Sequence, residues 1–286
     1  MLSYTSTPIQ EIKSSLLEKA GVNVFVKRED LNHPFVSGNK WWKLKRNLEQ
    51  AKEEGVSTLL TFGGAYSNHI YATAAAAQEL GFKCIGIIRG EEITALSKTL
   101  QFATEQGMQL HFISREAYRQ KAQDEFVARL KDQFGDFYLI PEGGTNSLAV
   151  QGVEEFAQQL NKEMDADFVW RVIGFSSLKG DFLSEEVRRL LDEEIEGEEV
   201  SKLERYQKSN WHIEDGYHFG GYAKHTPELL MFIKNFEKEF SIPVEHVYTG
   251  KLFFGLFDLI QRGHFPKGSK IMALHTGGLQ GKLEQL

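Results

Sequence analysis

The sequence predicts an α/β protein built on parallel sheets, and three observations carry that expectation. Between residues 57 and 162, short apolar runs rich in β-branched residues alternate with amphipathic stretches of helical length, the pattern of strands joined by crossover helices. Glycine clusters stand where strands should run into helices: Gly63-Gly64, Gly143-Gly144 and Gly277-Gly278. In open parallel sheets ligands settle at such carboxyl-end loops. Finally, 286 residues with 41% hydrophobic content suffice for one large or two modest domains.

Taken in order, residues 22–26 read as a short strand. They lead into Lys27-Arg28-Glu29-Asp30, read as structure: a solvated strand end or ion pairs fixing a loop. Ser37-Gly38-Asn39-Lys40 then runs into an amphipathic helix in which Leu44, Leu48 and Ala51 recur at helical spacing and Gly55 marks the end. Lys40 falls in the first turn, where unpaired N–H groups and the helix dipole disfavour a further positive charge. Burial against Trp41 and Trp42 would add to this, and a lysine kept as the free amine attacks carbonyls. A strand at 57–62 feeds Gly63-Gly64-Ala65-Tyr66-Ser67-Asn68-His69 and an alanine-rich helix over 70–80. The helix start suits a carboxylate or a phosphate, and Ser67 and Asn68 add a hydroxyl and an amide.

A strand at 83–89, a helix at 99–106 and a strand at 109–113 follow, then one long helix over 117–134 and a strand at 137–140. After Pro141-Glu142-Gly143-Gly144-Thr145-Asn146 comes a helix over 152–162, and residues 184–202 read as an acidic surface helix. Three more glycine-punctuated clusters close the chain, around Gly220-Gly221-Tyr222, Tyr248-Thr249-Gly250-Lys251 and His275-Thr276-Gly277-Gly278. Taken singly, Tyr222 and Tyr248 read as packing residues with satisfied hydroxyls.

Composition excludes several classes. A net charge of −7 with interspersed signs argues against nucleic-acid and anionic-membrane partners. One cysteine, Cys84, builds no disulfide framework and fits a cytoplasmic setting. The first residues lack the basic and apolar regions of a signal peptide, and no apolar run approaches the ~20 residues of a membrane helix. His69, His218 and His275 show no metal-ligand spacing.

Read together, Ser37-Gly38-Asn39-Lys40, Gly63-Gly64 with Ser67-Asn68-His69, Gly221-Tyr222, Tyr248-Thr249-Gly250-Lys251 and His275-Thr276-Gly277-Gly278 occur in one order. That order resembles the 1-aminocyclopropane-1-carboxylate deaminase / D-cysteine desulfhydrase family of pyridoxal-phosphate enzymes, which has the fold of the tryptophan synthase β chain (fold type II). The resemblance runs over about residues 7–281. It implies a small α/β domain over 43–153 and a large cofactor-binding domain formed by 1–42 with 154–286. It also implies pyridoxal 5′-phosphate as cofactor, a small amino acid as substrate, and a homodimer.

Residue by residue, the resemblance makes Lys40 the covalent holder of the cofactor and a proton carrier at the substrate α carbon. Asn68 would hydrogen-bond the pyridine 3-oxygen. Ser67 would contact the substrate carboxylate or transfer a proton, and His69 would support that loop and the substrate. Tyr222 and Tyr248 would flank the substrate as acid/base groups. Thr276, with Gly277, would face the ring nitrogen.

One feature departs from the family. A glycine- and threonine-rich phosphate loop belongs between Phe168-Val169 and Arg171-Val172-Ile173-Gly174, where Trp170 alone makes the join. One βα unit near Val169–Arg171 is therefore expected to be lacking. Either a segment is omitted, or the chain is a shortened relative with impaired cofactor binding. The function implied is that of a lyase or deaminase (a hydrolase in the ring-opening branch). Ring-opening members carry an acidic residue after the tyrosine matching Tyr248, and Thr249 here favours β-elimination from D-cysteine to pyruvate, ammonia and sulfide. The alternatives are a 1-aminocyclopropane-1-carboxylate deaminase and a cofactor-free binding protein. A nucleotide-binding protein would need a Gly-x-Gly-x-x-Gly after its first strand, and none is present.

Overall fold

The computed structural model describes residues 2–91, 95–164, 171–195, 210–284 and 286, with backbone alone over 190–195. The chain divides into two compact units, Met1–Thr7 with Glu29–Leu160 and Pro8–Arg28 with Asn161–Leu286. The first unit therefore includes 1–7 and 29–42, which the sequence places with the C-terminal half. The cause is local. Buried Glu29 accepts from Trp42 Nε1 at 2.7 Å and from Asn32 Nδ2 at 3.0 Å, and Trp41 Nε1 donates to the Ser3 carbonyl at 2.7 Å. These bonds sew the N-terminal residues to the helix that carries Lys40.

In the first unit a four-stranded sheet has the order β5 (Met108–Ile113), β4 (Lys83–Arg89), β3 (Thr58–Gly63), β6 (Tyr138–Ile140), every pair parallel. Central β3 buries Leu59, Leu60, Thr61 and Phe62, as a strand covered on both faces should. On one face Leu60, Phe62, Ile85 and Ile87 pack against Tyr118, Phe126, Leu130 and Phe137. Helix α3 (Asn68–Leu80) buries a run of alanines, whose small side chains let it lie close to its neighbours. Helix α2 (Asn39–Glu53) approaches α7 (Ser147–Glu163) closely, and a Cβ at Gly152 would stand 2.1 Å from the Trp42 carbonyl oxygen.

The second unit holds a three-stranded sheet, β1 (Ile9–Ile12) antiparallel to β2 (Asn23–Lys27), which pairs in parallel with β9 (Lys270–Leu274). A separate parallel pair joins β7 (Val172–Phe175) to β8 (Trp211–Glu214). Helices α9 (Pro227–Phe240) and α10 (Thr249–Gln261) contribute Phe236, Phe240, Phe253 and Leu256 to a core shared with Val24, Val26 and Ala273.

The alternation predicted across the first unit is present, with most ends moved by a residue or two, while the helix expected over 152–162 begins five residues earlier, at Ser147. The long helix expected over 117–134 is two: α5 (Arg115–Tyr118) and α6 (Asp124–Phe134). Asp124 and Glu125 favour a helix start there through the dipole, and none of the residues 119–123 between the two helices is buried, so nothing there holds one continuous helix. The join at Phe168-Val169-Trp170 lies outside the described residues, as does the acidic segment beyond Ile195. No described helix is long and apolar enough to cross a membrane.

Candidate active site

The first unit delivers Lys40 through a defined turn. Gly38 sits at φ 66° and ψ −139°, a conformation open to glycine and strained for other residues. Its N–H donates to Asn32 Oδ1 at 2.9 Å, and Asn32 Nδ2 donates back to the Gly38 carbonyl at 3.2 Å. The next two residues begin α2, so Lys40 stands in its first turn while Trp41 and Trp42 turn into the core. The Lys40 amine is pushed down to about 7, first by burial and then by the Lys43 ammonium one turn on. Burial lowers Lys43 as well. Lys43 Nζ donates to Thr145 Oγ1 at 2.9 Å, in the loop after β6. Among the described residues no carboxylate pairs with either lysine. Two desolvated amines without a counter-ion form a place for an anion or an electrophile.

His69 lies beside them. The Thr61 hydroxyl donates to the Ile140 carbonyl at 2.8 Å and so accepts from His69 Nε2 at 2.7 Å. That assigns the proton to Nε2 and leaves Nδ1 to accept the longer contact from Thr73 Oγ1 at 3.5 Å. Burial, then Lys40, then Lys43 hold its pKa well below the usual histidine range, so the ring is neutral. The loop after β6 presses on it: a Cβ at Gly144 would stand 3.2 Å from His69 Cε1, and Gly144 has φ 67°. His69 is buried with both ring nitrogens engaged inside the unit. Ser67 caps α3 by accepting from Ile70 N at 3.3 Å. Asn68 is half-buried, with no side-chain hydrogen bond to a described residue.

In the second unit, Tyr248 stands at the start of α10. The carboxylate of fully buried Glu245 takes the N–H groups of Val247, of Tyr248 at 2.8 Å and of Thr249 at 2.7 Å, which caps the helix. The Thr249 hydroxyl donates to the same carboxylate at 3.2 Å. Tyr222 meets Tyr248 edge to face with ring centroids 6.0 Å apart, and both rings are partly exposed, 42% and 38%. Burial, reinforced by Tyr222, raises the Tyr248 phenol well above its ordinary range, so it is a proton donor at neutral pH. After β9, buried His275 donates through Nε2 to the Pro243 carbonyl at 2.7 Å and accepts from Gly277 N at 3.3 Å. This shapes the turn in which Thr276 is half-buried and Gly277 has φ 76°.

The structure thus groups Lys40, Lys43, His69 and Thr145 in one unit, with Ser67 and Asn68 at the adjoining helix start, and pairs Tyr222 with Tyr248 in the other. Sequence reasoning missed Lys43, Thr145 and Glu245. Lys43 carried a signal, since i and i+3 share a helix face; Glu245 carried none.

The profile of the pyridoxal-phosphate dependent enzyme family matches residues 1–180 of the 286. The chain belongs to that family. Its cofactor is pyridoxal 5′-phosphate, and it is an enzyme family. A protein of Pyrococcus abyssi, named provisionally as a 1-aminocyclopropane-1-carboxylate deaminase, is 30% identical over 306 positions covering 96% of this chain and 90% of its own. The D-cysteine desulfhydrase of Klebsiella pneumoniae strain 342 is 28% identical, over 95% of this chain and 91% of that one. The mitochondrial bifunctional D-cysteine desulfhydrase/1-aminocyclopropane-1-carboxylate deaminase of Arabidopsis thaliana is 28% identical over 320 positions, covering 100% of this chain and 79% of its own. With 286 residues to place on 320 positions, at least 34 have no residue of this chain. The crystal structure of an ACC deaminase homologue superposes with a TM-score of 0.78 at 27% identity, covering 98% and 92% of the two chains. The fold is the two-domain α/β fold of these pyridoxal-phosphate enzymes.

The lysine pair tests whether these residues fit the family's cofactor. An amine near neutrality suits the aldehyde, and a second ammonium with the Thr145 hydroxyl beside it suits the anionic part. They fit.

Proposed function

We propose that the chain catalyses β-elimination from a small amino acid bearing a β-thiol, D-cysteine first, with water consumed and pyruvate, ammonia and sulfide released. The observation that carries this reading is Lys40, delivered by a fixed turn and held near neutrality by burial. When bound, the cofactor withdraws electrons from the substrate α carbon, which makes its proton removable. Lys40 would hold the cofactor covalently, and its Nζ, as a free amine, would take the substrate α proton. Ser67 and the start of α3 bind the substrate carboxylate. Asn68 would donate to the cofactor 3-oxygen, and Thr276 with Gly277 would face the ring nitrogen. Tyr248, protonated at neutral pH, with Tyr222 gives a proton to the departing sulfur. The carbon–sulfur bond breaks, and the resulting enamine hydrolyses to pyruvate and ammonia.

The relatives' two activities leave 1-aminocyclopropane-1-carboxylate as the second candidate. Thr249 opposes it: its side chain is 1% exposed and spent on Glu245, so it offers substrate nothing and could not become a carboxylate without facing another. A homodimer, by family analogy, and a cytoplasmic setting, from the lone buried cysteine, complete the reading. The test is sulfide release from D-cysteine against ring opening of aminocyclopropane carboxylate, with Lys40→Ala as control. Sulfide release and a visible cofactor band, both lost in Lys40→Ala, are expected. Faster ring opening would overturn the substrate, and no band in either protein would overturn the enzyme.

A further inference from the structure

We infer that Lys251 is a positioning residue: its buried ammonium pins the loop bearing Tyr222 onto the helix that begins at Tyr248. Lys251 lies in the first turn of α10 and is 1% exposed. Its Nζ donates to the carbonyl oxygens of His218 and Gly221, each at 2.8 Å. A desolvated ammonium is costly to a fold unless its protons are matched, and here two backbone carbonyls match it. Those carbonyls flank a strained stretch, with positive φ at Phe219 (52°), Gly220 (95°), Gly221 (119°) and Ala223 (55°). Such a backbone persists only when its surroundings over-determine it. Lys251 supplies part of that determination and Tyr217 another part. The Tyr217 hydroxyl donates to Asp258 Oδ2, two turns further along α10, at 2.6 Å. Its ring packs so closely on the helix that a Cβ at Gly255 would stand 2.9 Å from it. The loop is therefore tied to α10 on both sides of its bend. Tyr222, the next residue after the Gly221 carbonyl, is set edge to face against Tyr248. Burial pushes the Lys251 amine down to about 8 while the Glu245 carboxylate pulls it up, as befits a group held by protein rather than water. The hydrogen bonds of Lys251 go to backbone carbonyls and not to either tyrosine hydroxyl. Lys251 acts through the backbone.

This inference rests on the proton-transfer role proposed for Tyr222, and a double-mutant cycle separates the two. Steady-state sulfide release would be followed for the holoenzyme, Tyr222→Phe, Lys251→Met and the double variant, with the visible cofactor band recorded for each. If Lys251 serves Tyr222, each single change lowers kcat by about 10- to 100-fold. The double variant is then no slower than the slower single one, because the second change removes a function already gone. KM and the cofactor band stay within about twofold of the parent enzyme, which a general loss of structure would not allow. Tyr217→Phe cuts the other tether without unpairing a charge, and it carries the same cycle should Lys251→Met fail to fold. Multiplying losses in the double variant, unchanged kcat in the tether variants, or a lost cofactor band would overturn the inference alone. Full activity of Tyr222→Phe would instead overturn the role of Tyr222, and this inference with it.

Discussion

A lysine with an amine near 7 behaves differently from one near 10, and Lys40 makes that measurable. In the cofactor-free protein the reactive free amine is half-formed at about pH 7 and nearly complete a unit above. The rate at which added pyridoxal phosphate produces its visible band should climb to about pH 8 and level off; a rate still climbing at pH 10 would show an ordinary lysine. Lys43→Met should move the midpoint upward by less than half the total shift, because burial outranks the neighbouring charge. The same depression has a stability sign. Between about 7 and the ordinary value of 10.5 the unfolded chain binds a proton that the folded one does not, so stability rises with pH across that window. Lys40→Met should remove that slope and stabilise the cofactor-free protein at pH 7 by about 1 kcal/mol, as loss of a functional strain does, read by urea unfolding at pH 7 and 9.5. Position in the first turn of a helix was legible from Ser37 to Lys40. The larger cause, burial, was legible only as a contribution from Trp41 and Trp42, because the rest of it arises from chain segments far apart in sequence.

At the scale of elements, the site depends on α2 keeping its place, and Gly152 is where that is most exposed to test. A methyl group there would meet the Trp42 backbone, and a backbone cannot swing aside as a side chain can. Gly152→Ala should cost about 2–3 kcal/mol in urea unfolding through overpacking and weaken cofactor binding, since Trp42 sits two residues from Lys40. A cost below about 0.5 kcal/mol, the range of a neutral surface change, would mean the two helices do not meet as described. The strands and helices of the first unit could be read from periodicity because they alternate at full length. The four-residue strands β1 and β8 could not, because neither stands in a strand–helix alternation of the kind that marked the still shorter β6. α9 announced itself unheeded, with Thr226 capping and Pro227 opening it. The single helix read over 117–134 failed for the opposite reason: Tyr118, Phe126 and Leu130 keep helical spacing across a stretch that is not helical.

For the whole molecule the open quantity is how the cofactor's phosphate is held. The alignment with the Arabidopsis thaliana relative has at least 34 positions with no counterpart here, and the resemblance expects a glycine- and threonine-rich loop where Trp170 alone stands in the sequence. A phosphate cannot stay in a dry site without donors. Lys43 is the described cation best suited to it, desolvated, free of any carboxylate partner and beside the Thr145 hydroxyl. One charge-assisted hydrogen bond contributes about 1.5–3 kcal/mol, or roughly 10- to 100-fold in affinity. Pyridoxal phosphate should therefore bind only about 10- to 100-fold more tightly than pyridoxal, which keeps the aldehyde and ring but lacks the phosphate. Lys43→Met should bring that ratio close to one while leaving pyridoxal affinity within about threefold when the proteins are compared at a pH where Lys40 is a free amine in both, because Lys43 otherwise touches the cofactor's reaction only through the Lys40 charge state. Titration of each compound into the cofactor-free protein, followed by its visible band, reads both constants. A ratio above about 10³ that survives Lys43→Met would place the phosphate on a different set of donors and would mean that the shortened join still builds a cup for it.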